Sequence, residues 1–148
     1  MLLDANLLLY AVDETSPWHE TAAAWLEERL EGAERVGLPW PSLTTFVRIS
    51  THPRATTQPL SGEEAWSFVE AWLAVPNVWI PSPTERHAVV MGDLVRRYRL
   101  TANLIPDAHL AALAIEHGLE LCSADTDFAR FSDLRWRDPL ATSRHAPY

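Results

Sequence analysis

Four aspartates stand where a parallel β-sheet could bring them together. Asp4 ends a short apolar run at the start of the chain, and Asp125 and Asp127 follow a second apolar run. Asp107 opens a predicted helix that leads into that second run. Because sites in parallel sheets lie beyond the carboxyl ends of the strands, we expect these carboxylates to meet at one edge. Taken singly, Asp107 also fits the role of a helix-start residue and Asp125 and Asp127 that of turn formers, whereas Asp4 is an unusual acid among apolar residues.

Carboxylates that meet in this way need a counter-charge. Two of them about 4 Å apart repel each other by roughly 1–4 kcal/mol, depending on the effective dielectric constant. The chain contains no lysine, and no arginine adjoins Asp4 or Asp107 in the sequence. A donor set made only of oxygen atoms suits Mg²⁺ or Mn²⁺. Zinc is not expected, because the single Cys and the six His show no zinc-ligand spacing.

The charge balance narrows the classes of function that the chain could have. Its 12 basic residues, all arginine, stand against 20 acidic ones, which gives a formal net charge of −8. Without lysine, P-loop and Schiff-base mechanisms are excluded. An acidic chain also lacks the many cations of a general nucleic-acid binder, so any contact with nucleic acid must be local. No serine-hydrolase elbow (GxSxG) or glycine-rich dinucleotide loop occurs in the sequence.

Short apolar runs alternate with helical patterns along the chain. This alternation predicts a central parallel sheet with helices on both faces, which is the α/β class. The predicted strands cover residues 1–3, 36–38, 78–80, 119–123 and 134–136. The predicted helices cover residues 18–32, 43–51, 61–75, 84–98 and 107–117.

We expect one domain over residues 1–140, followed by a loose tail at residues 141–148. The single cysteine allows no intrachain disulfide. The apolar start of the chain lacks a basic leader and is too short for a membrane span. The sequence therefore predicts a cytoplasmic protein without membrane association.

Three segments of the chain carry a family pattern. They are the N-terminal Leu3-Asp4-Ala5-Asn6, the sequence PDAHLAALA at residues 106–114 and the sequence SADTDFARF at residues 123–131. Together they resemble the PIN-domain ribonucleases, in particular the VapC-type toxins of bacterial toxin–antitoxin modules. The resemblance implies a three-layer fold with a central parallel sheet flanked by helices. It also implies Mg²⁺-dependent endonucleolytic cleavage of RNA and inhibition by a cognate antitoxin protein.

The resemblance further implies roles for single residues. On matching positions, Asp4, Asp107 and Asp125 fill the metal-binding acidic site of the family, and Asp127 is a fourth, supporting catalytic acid. The ion, Mg²⁺ or Mn²⁺ in its place, would activate the attacking water and neutralise charge on the phosphate. Supporting contacts are expected from three polar residues, Asn6, Thr44 and Ser123.

One position departs from the family pattern. The family places a Glu two residues before an Arg on the helix after the second strand, and here Phe46 precedes Arg48. Thr44, Thr45 or a water could fill the missing place around the metal, whereas the alternative is that these hydroxyls only support helix packing. The missing Glu also leaves a second interpretation open, a catalytically weak PIN-like module that docks an Arg-bearing protein. A DNA nuclease or a phosphatase could use the same acids.

Contacts with the RNA substrate or with the antitoxin must come from few cations. The candidates are Arg48, Arg54 and Arg97. Most of the tryptophans fit helical apolar faces, which indicates the core or a homodimer interface and not a base-stacking surface. This set includes Trp25, Trp66 and Trp72.

Overall fold

The computed structural model describes residues 1–144, and a sheet of five short strands forms its centre. The strands are β1 Leu2–Leu3, β2 Val36–Gly37, β3 Val78–Trp79, β4 Leu121–Cys122 and β5 Trp136–Arg137. Their order in the sheet is β3-β2-β1-β4-β5, and every neighbouring pair is parallel. The predicted α/β fold with a central parallel sheet is confirmed.

Helices connect the strands of this sheet. The six longer ones are α1 Ala5–Val12, α2 His19–Glu31, α3 Trp40–Ser50, α4 Gly62–Leu73, α5 His87–Arg97 and α6 Leu104–Glu116. A 3-10 turn at Thr126–Arg130 and the one-turn helix α7 at Ala141–Arg144 follow them. Between residues 1 and 144, no helix is both long enough and apolar enough to cross a membrane.

Neighbouring residues of β1 divide the apolar interior into two cores. Leu3 belongs to the core that α1, α2, α3 and α4 cover, and Leu2 belongs to the core under α5 and α6. Both leucines are fully buried, as expected for a strand covered on its two faces. The sheet is therefore the middle of three layers, and the segments that follow its strands leave it at one edge.

Local signals set the ends of two helices. At the start of α4, Ser61 Oγ accepts a hydrogen bond from Glu64 N at 3.1 Å, and Glu64 Oε1 accepts one from Ser61 N at 3.0 Å. This is the predicted capping box. Gly118, with a φ of 64°, follows the end of α6 in a conformation that strains residues with a Cβ. Both predicted helix ends are confirmed.

Prolines within the first turns of α3 and α6 explain why both helices begin earlier than predicted. α3 begins at Trp40 and not at residue 43, and α6 begins at Leu104 and not at residue 107. A first-turn residue has no partner for its amide within the helix, so Pro41 and Pro106 cost no hydrogen bond there. Asp107 consequently lies within the first turn of α6 and does not open it.

Three further expectations need correction. The strand predicted at residues 134–136 lies at Trp136–Arg137, because Leu134 N closes a turn on Phe131 O at 3.1 Å. Part of the segment expected to be a loose tail forms α7, and residues 145–148 lie outside the described residues. Trp66 is 42% exposed and is therefore not a core residue, whereas Trp72 is buried.

Candidate active site and metal centre

Three carboxylates converge at the edge where the strands end. Asp107, Asp125 and Asp127 each offer an oxygen atom that lies within 4.8 Å of the other two. Asp107 comes from the first turn of α6, and Asp125 and Asp127 come from the 3-10 turn after β4. Asp125 caps that turn, because its Oδ1 accepts a hydrogen bond from Asp127 N at 2.9 Å. One side chain thus both shapes the turn and belongs to the group.

Asp4 stands next to this group and is held by its own hydrogen bonds. It caps α1, since its Oδ1 accepts from Ala5 N at 2.7 Å. Its Oδ2 accepts from Ser123 Oγ at 2.7 Å and from Asn6 Nδ2 at 3.2 Å. Of the roughly four acceptor sites of a carboxylate, residues 1–144 fill three and leave one on Oδ1.

Ser123 connects Asp4 with the turn that carries the other acids. Its side chain is fully buried directly after β4. While its hydroxyl donates to Asp4, the oxygen accepts from Asn6 Nδ2 and from Asp125 N, both at 3.0 Å. Asn6 adds a further link, because its Oδ1 accepts from Ala124 N at 3.2 Å. The two polar residues that the sequence indicates beside Asp4 therefore join β1, α1 and β4 at the site.

Burial and the neighbouring carboxylates raise the pKa of Asp107 and of Asp4. Burial raises the pKa of Asp107, and the negative charges of Asp125, Asp4 and Asp127 raise it further, to about 6. Burial also raises the pKa of Asp4, against the hydrogen bonds from Ser123 and Ala5, and the charge of Asp125 acts in the same direction as burial. The site therefore carries more negative charge than its own residues balance. Oxygen donors of this kind fit a hard divalent cation such as Mg²⁺ or Mn²⁺.

Arg130 is the cation that the fold places beside these acids. Its Nε donates to Asp127 O at 3.0 Å, and its Nη2 lies 3.6 Å from Asp127 Oδ1. Its charge lowers the pKa of Asp107, but less than burial and the neighbouring acids raise it. In the sequence, Arg130 is one of several arginines that follow the last acids and could contact the RNA backbone or antitoxin carboxylates. The sequence signal for its contact with Asp127 is the spacing of three residues, which brings two side chains together in a helical turn.

The residue at the position of the missing family Glu lies in the apolar core. Phe46 is fully buried, and its ring centroid lies 4.8 Å from that of Trp72 and 6.3 Å from that of Phe68. Thr44 is exposed, and its Oγ1 donates to Trp40 O at 2.8 Å within its own helix. Among the carboxylates that converge, the structure therefore includes no replacement from α3, and the helix-packing interpretation of Thr44 fits its contact.

The three candidate arginines lie in different surroundings. Arg48 on α3 and Arg54 in the loop after it are exposed. Arg97 on α5 forms ion pairs with both Asp93 and Asp133. A contact of Arg97 with RNA or with an antitoxin would have to compete with these two carboxylates.

A buried polar network fixes α6, and with it Asp107, against α5. The fully buried side chain of Glu116 accepts hydrogen bonds from Thr84 N and Thr84 Oγ1 at 2.9 and 2.7 Å. Its other oxygen lies 2.5 Å from His87 Nδ1. His87 Nε2 is in turn 3.0 Å from Nδ1 of His109, a residue of α6. Such a network specifies one position of the helix, because leaving any buried member without a partner is costly.

Comparison with known proteins places the chain in one family. Residues 1–134 match the PIN domain family, and the chain therefore belongs to it. It is 44% identical over 140 residues to Ribonuclease VapC37 of Mycobacterium tuberculosis, across 95% of this chain and 97% of that protein. It is 42% identical over 137 residues to Ribonuclease VapC33 of the same species, across 93% and 96%.

A solved structure supports the same fold. The chain resembles VapBC2 from Rickettsia felis, which was solved bound to a DNA fragment from its promoter. The TM-score is 0.66 at 16% sequence identity, and the match covers 92% of this chain and 96% of that one. The family resemblance expected from the sequence is confirmed.

The raised pKa of Asp107 predicts that Asp107→Asn stabilises the metal-free protein. The penalty for ionising Asp107 in the folded state is fully present above its folded pKa of about 6, and it is lost as the pH falls towards the unfolded value of 3.8. At pH 8 with a chelator present, the variant should gain about 1 kcal/mol in free energy of unfolding, after allowance for solvent screening.

Thermal unfolding between pH 4 and pH 8 measures this difference. The gain should disappear at the acidic end, where Asp107 of the unchanged protein is protonated. Glu85→Gln, at an exposed residue, removes one charge as a matched control and should change little. A variant that is equally or less stable than the unchanged protein at pH 8 would contradict the proposed repulsion.

Ser123→Ala should destabilise the site. It leaves Asp125 N without its acceptor and removes the shortest hydrogen bond to Asp4 Oδ2, so the free energy of unfolding should fall by about 1–3 kcal/mol. Urea unfolding of the metal-free protein measures the loss. Ser67→Ala is the control, because Ser67 is exposed and its hydroxyl donates to Glu63 O of its own helix. Equal losses in both variants would argue against a special role of Ser123.

Proposed function

We propose that this chain is the endoribonuclease toxin of a bacterial toxin–antitoxin pair and that it hydrolyses RNA phosphodiester bonds at a divalent-metal site. The observation that carries the proposal is the convergence of Asp107, Asp125 and Asp127 at the carboxyl edge of the sheet, with Asp4 beside them. The names of the relatives, Ribonuclease VapC37 and Ribonuclease VapC33, support the reaction class.

The metal would be Mg²⁺, with Mn²⁺ as a possible substitute. Asp107, Asp125 and Asp127 would hold it, and Asp4, which the family resemblance gives as a ligand, lies close enough to raise the pKa of Asp107. When bound, the ion would neutralise charge on the phosphate and increase the acidity of a water molecule. The excess of negative charge in the site supports this assignment.

The chain's own residues would position the reactants. Asp4 is held by Ser123, Asn6 and Ala5, and its open Oδ1 site can orient the attacking water and accept its proton. Arg130 faces Asp127 at 3.6 Å and can turn to a phosphate oxygen once the charge of Asp127 is neutralised. Relatives named ribonucleases do not favour the alternative, a catalytically weak module that docks an Arg-bearing protein.

Asp107→Asn and Asp4→Asn should each slow Mg²⁺-dependent cleavage of RNA by about a hundredfold or more, because each takes one negative charge from the site. Both variants should keep the fold. The measurement is gel analysis of end-labelled total RNA, with Mg²⁺ and with a chelator, together with calorimetric titration of Mg²⁺. DNA and a small phosphoester serve as alternative substrates.

Glu85→Gln is the matched charge control for this experiment. Full activity in either purified aspartate variant would contradict the proposed metal-dependent nuclease function. Cleavage of DNA in preference to RNA, or cleavage that survives the chelator, would replace it with another reaction.

An antitoxin partner is part of the proposal. The chain should co-purify with the product of a small neighbouring reading frame, and RNA cleavage should stop in that complex. A complex that cleaves RNA as fast as the isolated chain would contradict inhibition. The expected homodimer is a separate prediction, which sedimentation of the isolated chain measures.

A further inference from the structure

Two tryptophans form an exposed aromatic pair on the surface. Trp40 and Trp66 are each 42% exposed, although tryptophan is a costly residue to leave in water. Their ring centroids are 6.3 Å apart and their planes differ by 6°, so the rings are nearly parallel. Trp40 is the first residue of α3, and Trp66 lies in α4. The pair therefore joins two helices on one side of the sheet.

This aromatic pair lies at the same edge of the sheet as the carboxylates. Trp40 begins α3, which follows β2, and β2 neighbours β1 in the sheet. In the first turn of α3, Ser42 Oγ donates a hydrogen bond of 2.7 Å to Leu3 O. Leu3 is the residue immediately before Asp4. A single buried hydrogen bond thus connects the turn that carries Trp40 to the strand end that carries a site residue.

One face of α3 continues from Trp40 with polar and basic groups. Trp40, Thr44 and Arg48 follow at four-residue intervals and are all exposed, so they lie along one stripe of the helix. On α4, exposed acids flank Trp66 on the same face, with Glu63 three residues before it and Glu70 four residues after it. The surface around the aromatic pair is therefore basic on its α3 side and acidic on its α4 side.

We propose that Trp40 and Trp66 form a stacking platform for an unpaired base of the RNA substrate, and that Arg48 contacts the backbone phosphate next to that base. This inference rests on the proposed function and names how the substrate is held. Aromatic rings bind the face of any base, and the cation of Arg48, two helical turns from Trp40, accounts for the phosphate. The acids of α4 repel the backbone, so its path lies over α3.

The experiment measures binding without cleavage. The probe is a fluorescein-labelled single-stranded RNA of about 12 nucleotides and mixed sequence, compared with an RNA of equal length that carries abasic sites. Fluorescence anisotropy in the presence of a chelator gives the affinity of the full chain for each. Trp40→Leu and Trp66→Leu keep an apolar side chain but remove the ring, and each should weaken binding of the normal RNA by about tenfold.

The abasic RNA separates stacking from a general loss of structure. Because it has no base to stack, its affinity should be the same for the unchanged chain and for both leucine variants. Trp40→Phe should recover most of the affinity for the normal RNA. Arg48→Ala should weaken both RNAs alike and reduce the slope of log affinity against log salt by about 0.7.

Two controls match these changes elsewhere on the surface. Val89→Ser removes an exposed apolar side chain from α5, where Val89 is 74% exposed. Arg135→Ala removes a cation that bonds Gly118 O at the opposite edge of the sheet. Neither should alter the affinity for RNA.

Several results would overturn the inference. Unchanged affinity in both leucine variants would overturn it, as would an equal loss for normal and abasic RNA. A change from dimer to monomer in sedimentation, with RNA affinity unchanged, would assign the pair to a protein interface. An unchanged chain that binds none of this RNA would also overturn it. The proposed function fails separately, if the unchanged chain binds RNA through the pair but does not cleave it when Mg²⁺ is added.

Discussion

Repulsion between carboxylates at one sheet edge is the constraint on which the site depends. Asp107, Asp125 and Asp127 offer oxygens within 4.8 Å of one another, and Asp4 lies close enough to raise the pKa of Asp107. No lysine exists in the chain to offset this charge. The surrounding structure must therefore hold the acids in place against a cost of roughly 1–4 kcal/mol for each close pair. Such an arrangement concentrates negative electrostatic potential at a place where a cation can bind.

Side-chain packing, and not backbone hydrogen bonding between the strands, holds the acids in place. Each strand is only two residues long, so backbone pairing alone fixes little. Leu2 and Leu3 are fully buried in separate cores on the two faces of the sheet, which leaves the end of β1 no alternative register. Ser123 then connects that end to β4, and the Glu116 and His87 network fixes α6. Three elements are thus held independently at the border of the site.

The sequence predicted what depends on local chemistry and missed what depends on distances between side chains. The capping box at Ser61 and the stop at Gly118 follow from backbone rules, and both are confirmed. The strand-end rule selected the acids from a total of 20. It could not tell that Asp127 and not Asp4 lies in the closest group, since that depends on how the 3-10 turn is capped. The exposure of Trp66 likewise depends on how α4 is rotated against α3.

The negative net charge restricts the kinds of contact by which this chain could bind RNA. With a charge of −8, the chain cannot attract a polyanion by its overall field, so any affinity for RNA has to come from contacts that do not depend on total charge. Stacking is such a contact, because it acts on the uncharged face of a base. A divalent ion would be another, because it would turn the repulsive acidic edge into an attractive one. A chain that combines the two would hold RNA only where both are satisfied, and its acidic surface elsewhere would keep RNA from binding at random.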